Sequence, residues 1–176
     1  MALRTAVRAT GLPTLIPTSK LSFMIPHDPP WPEQRSIISA AALKAEDAVR
    51  SGAGHLVLTD QHQDGDKVAM PMILATSAVH SHLTRKGLRT FCSLNVRSAE
   101  CIDPHYFAVL VGCGATIVNA YLAEDSIADR IKRGLIEGTL TEAVARYRKA
   151  IDAGLLKIMS KMGISVISSY RGGLNF

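Results

Sequence analysis

Three times between residues 37 and 121 the sequence runs through the same order: a helical stretch, a glycine stop, a short apolar run and a polar end. In the first cycle Ile37, Ala41, Leu43, Ala45, Ala48 and Val49 predict a helix stopped at Ser51-Gly52-Ala53-Gly54, and residues 55–60 read as a buried strand ending in Thr59 and Asp60. The second starts at Pro71, a favoured first helical position, continues through Ile73, Leu74, Ala78 and Leu83 to Lys86-Gly87, and enters a strand over 91–96. The third runs from Pro104 through Phe107, Val109, Leu110 and Val111 to Gly112-Cys113-Gly114, then into a strand over 115–118 that ends at Asn119 and Tyr121. Such alternation, with strands too apolar to leave a face wet, predicts an α/β fold with parallel strands covered by helices, either partial βα-barrel-like or an open sheet.

The flanks read differently. Six prolines between residues 9 and 35 predict a non-helical lead with one strand near 21–25, and HDPPWPEQ reads as loop, as does QHQDGDKVA after Asp60. Helices are expected over 123–133 and 141–153, the second ending at Gly154. Leu155, Leu156, Ile158, Met159 and Met162 then give a further short helix stopped at Gly163, and Ile164, Val166 and Ile167 a strand before Tyr170-Arg171-Gly172-Gly173. By this division residues 1–36 are a Pro-rich lead, 37–153 the α/β region and 154–176 the start of a further unit.

Composition excludes several classes. With 47% hydrophobic and 20% charged residues the chain is an ordinary globular sequence, and no apolar run approaches the length that spans a bilayer. The +5 charge is scattered and aromatics are 5%, too few for a stacking platform, so no nucleic-acid partner is expected. Cys92, Cys101 and Cys113 form no close pair and no compact ligand set, which argues against a disulfide framework or a metal cluster and fits a reducing, cytoplasmic setting. The start, with Arg4 and Arg8 and no acid before Asp28, has the make-up of a transit peptide, but it lacks the apolar core of a secretory signal, and organelle targeting is not expected.

Ligands of parallel α/β folds gather at the C-terminal ends of the strands, which nominates Asp60, Asn95, Arg97, Glu100, Asn119 and Tyr121. Asp60 and Glu100 are candidates for paired acid–base carboxylates, weighed against a reading as solvated strand-end acids. His80 and His82, two apart on a helix, point to different faces and cannot share an ion. Gly112 and Gly114 precede a strand, so they read as a helix stop and not as a dinucleotide fingerprint. Lys161 and Arg171 read from spacing as a helix-end cation and a turn residue.

The strings KAEDAVRSGAGHLVLTDQ, PMILATSAVHSHLTRKGLRTFCSLNVRSAE and HYFAVLVGCGATIVNAYLA resemble the second half of the central domain of the glutamate synthase large subunit. SKMGIS followed by SYRGG and an aromatic resembles the start of that family's FMN-binding synthase domain, so that the likeness spans residues 40–176. It implies reductive transfer of glutamine's amide nitrogen to 2-oxoglutarate in a parent enzyme carrying FMN and an iron–sulfur cluster, with this region as scaffold between the amidotransferase and flavin sites. It also implies the remaining domains or subunits as partners, self-association through an apolar face, and no activity or cofactor of the chain by itself. Lys161 and Arg171 stand at the implied barrel lead-in and are its candidate contact residues. Two departures stand out: Val96-Arg97-Ser98-Ala99-Glu100 replaces a Val-Glu-Thr-Gly-Glu-like strand end, and Asn119-Ala120-Tyr121 replaces an Asn-Pro-Tyr turn. No catalytic residue of the family maps onto this chain. The alternative is a stand-alone α/β binding or assembly domain derived from that region, and a third reading is a small enzyme using Asp60 or Glu100.

Overall fold

A computed structural model describes residues 17–26, 30–61 and 67–173. Strands β1 (Thr18–Ser22), β3 (His55–Thr59), β5 (Ser93–Arg97) and β6 (Ile117–Asn119) form one parallel sheet in the order β1-β3-β5-β6. Helices α1 (Trp31–Arg50), α2 (Met72–Arg85) and α3 (Pro104–Gly112) cross between successive strands, and α1 packs on α2 and α2 on α3. Each crossover therefore leads to the next neighbour in the same direction, with the three helices on one face. Of the two expected arrangements, this is the partial barrel; a doubly wound sheet would reverse its strand order and place helices on both faces.

The core lies between that sheet face and the helices. Leu56, Leu58, Leu94, Val96 and Val118 point into it at every second position and meet Ala45 and Val49 of α1, Ala75, Val79 and Leu83 of α2, and Leu110 and Val111 of α3. The intervening residues face the other way. Lys20, Val57, Asn95 and Ile117 share one register row there, and Ser22, Thr59, Arg97 and Asn119 the next. The second face is thus polar and partly open, unlike the expected sheet with no wet face; in a closed barrel such inward rows would be enclosed by further strands.

Several local expectations change. The run 31–36 is helical, not loop, because Pro32 sits in the first turn of α1, where a missing N–H costs nothing; residues 27–29 lie outside the described residues, as does the targeting reading of the first fifteen. The lead carries two strands: β1 joins the main sheet, and β2 (Met24–Pro26) pairs antiparallel with β4 (Lys67–Ala69), inside the stretch expected to be loop. Helix α4 (Tyr121–Lys132) follows β6, and α5 (Leu140–Lys161) runs through Gly154 without a break. Its buried stripe of Ile151, Leu155 and Met159 keeps helical spacing across the glycine. Gly154 serves a close crossing instead: an added Cβ there would stand 2.5 Å from Pro104 Cβ.

Residues 164–167 form no strand. Val166 caps the short helix α6 (Ile167–Tyr170), whose Tyr170 is fully buried and donates from its hydroxyl to Ala108 O at 3.2 Å, while Gly172 N donates to Val111 O at 3.2 Å. Docking onto α3 outweighs the β propensity of three branched residues.

Candidate functional site

The C-terminal ends of the strands do converge on a cavity of about 740 Å³, open on the polar sheet face and walled by α4 and the start of α5. Asn95, Arg97, Asn119 and Tyr121 line it, with Asp125 and Glu124 on the α4 side. The nominated residues nevertheless do different jobs.

Asp60 is 1% exposed, so it is no solvated strand-end acid. Its Oδ2 accepts from Ser98 Oγ at 2.9 Å and from Ala99 N at 2.8 Å, fixing the turn after β5, while Oδ1 is buried without a well-formed hydrogen bond. Glu100 turns away to the helix side. Its Oε2 accepts from Met72 N at 3.0 Å and from the Tyr106 hydroxyl, so it caps α2, which has no side-chain cap of its own. The two carboxylates are therefore committed to separate structural tasks and do not form an acid–base pair.

Arg97 is the cation of the site. Its guanidinium carbon lies 5.1 Å from the centroid of the Tyr121 ring, a cation–π contact. Among the described residues its Nε is buried and unbonded, and Asn95 Oδ1 beside it on β5 is likewise buried with no partner. Burial, and next the Asp60 charge, push the Tyr121 phenol up to about 12, so it is a neutral donor at any ordinary pH. Glu124 is engaged by Arg148 at 2.9 Å.

Lys161 and Arg171 are not at this rim. Lys161 ends α5 exposed, and Arg171 follows α6 at the opposite end of the sheet. There Arg89, which sequence reasoning missed, donates to Cys92 O at 2.6 Å and Gly114 O at 2.7 Å, tying the starts of β5 and β6 together. Its Nε donates to His80 Nδ1 at 3.0 Å. The His80 ring packs against Gly114 and Gly172, and burial, then the Arg89 and Arg171 charges, hold its pKa below the ordinary value. His82 faces α1, with Nε2 2.6 Å from Glu46 Oε2, so the two histidines diverge as their spacing requires. Gly112 ends α3 and Gly114 takes φ +106°, the helix stop read from the sequence.

Cys92 precedes β5, Cys101 follows it and Cys113 ends α3, and burial pushes all three thiols up, Cys101 to about 12. Among the described residues no three His, Cys, Asp or Glu side chains come together in a metal-ligand group. Among the described residues no helix is long and apolar enough to cross a membrane.

The family profile described as "Glutamate synthase central domain" matches residues 6–176. The chain is 64% identical over 134 residues to the glutamate synthase [NADPH] large chain of Azospirillum brasilense and 44% over 133 residues to that of Bacillus subtilis, in each case 76% of this chain and 9% of the relative. It is 43% identical over 144 residues to the ferredoxin-dependent glutamate synthase of Pyropia yezoensis, 75% of this chain and 9% of that one. The chain thus spans about a tenth of the length of these relatives. Among solved structures a mandelate oxidase superposes with a TM-score of 0.58 at 16% identity, over 74% of this chain and 35% of that one, a likeness of fold alone.

Proposed function

Because the chain belongs to the glutamate synthase central-domain family, we propose that it serves as scaffold within a glutamate synthase large chain. Its place there is between the site that releases ammonia from glutamine and the flavin site that adds it reductively to 2-oxoglutarate. The parent enzyme carries FMN and an iron–sulfur cluster on other segments and works in nitrogen assimilation and glutamate biosynthesis, in the cytoplasm. Residues 37–153 form the central-domain portion behind the lead of 1–36, and 154–176 lead into the flavin domain, with Lys161 and Arg171 as contacts to it. Alone, the chain catalyses nothing.

The observation that carries this reading is the four-stranded partial barrel whose second face is only partly covered among the described residues, at 64% identity to a chain about eleven times as long as the matched part. Its two carboxylates at the strand ends are occupied by backbone and side-chain donors, which supports scaffold over catalyst. The test is a chimera: residues 40–173 replace the matching segment of the Azospirillum brasilense large chain. Glutamate formation near the parent rate is expected. A folded chimera without it, or tight FMN uptake by the 176-residue chain alone, would overturn the proposal.

A further inference from the structure

We propose that the rim pocket is a binding site for a small amino acid, held by its carboxylate on Arg97 and by its ammonium on Asn95 Oδ1 beside it and on Asp125 of the α4 wall. The inference does not rest on the scaffold reading; it follows from polar atoms that the fold buries and leaves unused.

The Arg97 side chain makes no ion pair and no hydrogen bond among the described residues, although its Nε is out of solvent. Arg89, Arg148 and Asp60 each keep at least one side-chain partner, Arg89 on two carbonyls, Arg148 on Glu124 and Asp60 on Ser98 and Ala99, although Arg148 Nε and Asp60 Oδ1 are also buried without one. An unbonded buried donor on a charged group is costly unless something binds it. The Tyr121 ring, 5.1 Å from the guanidinium carbon, holds the group at the rim, and a guanidinium edge is a fork suited to a planar bidentate acceptor. A carboxylate matches that fork.

A simple anion would leave the second orphan unmet. Asn95 Oδ1, on the same strand and lining the same cavity, is a buried acceptor with no donor. Asp125 adds an exposed carboxylate to the cavity wall. The ligand must therefore bring a donor as well as an acceptor, and carboxylate plus ammonium on one small skeleton is the chemistry that meets both. The α4 N-terminus begins at this rim with no side-chain cap, which favours the negative end there. The carboxylates on the α4 wall disfavour phosphate, whose charge has no counterpart for them.

The purified 176-residue chain is titrated with L-glutamate, L-glutamine and glycine, and in separate arms with acetate and inorganic phosphate, by calorimetry and by amide chemical-shift changes at Asn95, Arg97 and Asn119. At least one amino acid is expected to saturate with a Kd of about 1 mM or tighter. Arg97→Lys, which keeps the charge and loses the fork, should weaken it about tenfold or more, and Asn95→Ala should weaken it independently. Arg133→Gln, on the far side of α4, should leave it unchanged. Silence with all three amino acids, equal affinity for acetate or phosphate, or indifference to both site variants in chains that keep the parental circular dichroism would overturn the assignment.

Discussion

Replacing Gly154 with alanine pits two opposed effects against each other at one atom. In the interior of a 22-residue helix, glycine to alanine should stabilise by about 1 kcal/mol, because alanine loses less backbone freedom. Against this, the new Cβ would lie 2.5 Å from Pro104 Cβ and 2.6 Å from its Cγ. Carbon atoms rest at about 3.5–4.0 Å, so α5 must retreat from α3 by about 1 Å. Pro104 is a ring at the start of α3 and cannot swing aside. The same retreat would loosen Leu155 and Met159, both buried on this crossing. Overpacking of this kind costs about 1–3 kcal/mol, so the net is a loss of up to about 2 kcal/mol, with Tm lower by up to about 8 °C. Urea and thermal unfolding followed by circular dichroism measure it. A second variant, Pro104→Gly, removes the opposing Cβ, so the double mutant should show favourable coupling of about 0.5 kcal/mol or more. If Gly154→Ala stabilises by the full propensity gain and no coupling appears, the close crossing is not what holds glycine at this position.

Other outcomes follow from the two ends of the sheet. Gly114→Ala should cost at least about 1 kcal/mol more than Gly87→Ala: both have positive φ, but the added Cβ at 114 would fall 2.2 Å from His80 Nδ1 while that at 87 meets open space. Paired denaturation curves decide, and equal losses would refute the packing role of His80. Glu100→Ala should destabilise by about 1–3 kcal/mol, since Met72 N, fully buried, loses its acceptor; unchanged stability in urea melts would contradict the capping assignment. His80 has a folded-state pKa below its unfolded one, so its neutral form contributes stability that is complete above about pH 6.5 and lost as pH falls through the lower folded value. His80→Gln keeps an acceptor for Arg89 and should flatten the stability profile in that acidic window; an unaltered slope would show that another group titrates there.

Much of the candidate site was legible because a strand end announces itself: an apolar run turning polar placed Asp60, Asn95, Arg97, Asn119 and Tyr121 near the rim. What those side chains do was not, because spacing gives no direction beyond the strand. Asp60 turns into the protein to hold the following turn, and Glu100, three residues past Arg97, reaches back to cap α2. Arg89 escaped notice for a related reason, as it acts through a partner distant in the chain, Gly114.

By itself the sequence determined what short-range physics governs. The glycine stops, the proline starts and the 3.6- and two-residue periods decided that helices and parallel strands alternate, since each depends on residues a few positions apart. Tertiary structure decided the rest. It carried α5 across Gly154, because that glycine is needed where α3 and α5 touch, and put a short helix over 167–170 in place of the strand expected at 164–167, because Tyr170 buries itself on α3. It also left one sheet face partly open, with the Arg97 side chain on it unpaired among the described residues. No local pattern encodes that outcome, because it is fixed by which strands are neighbours and on which side every helix crosses.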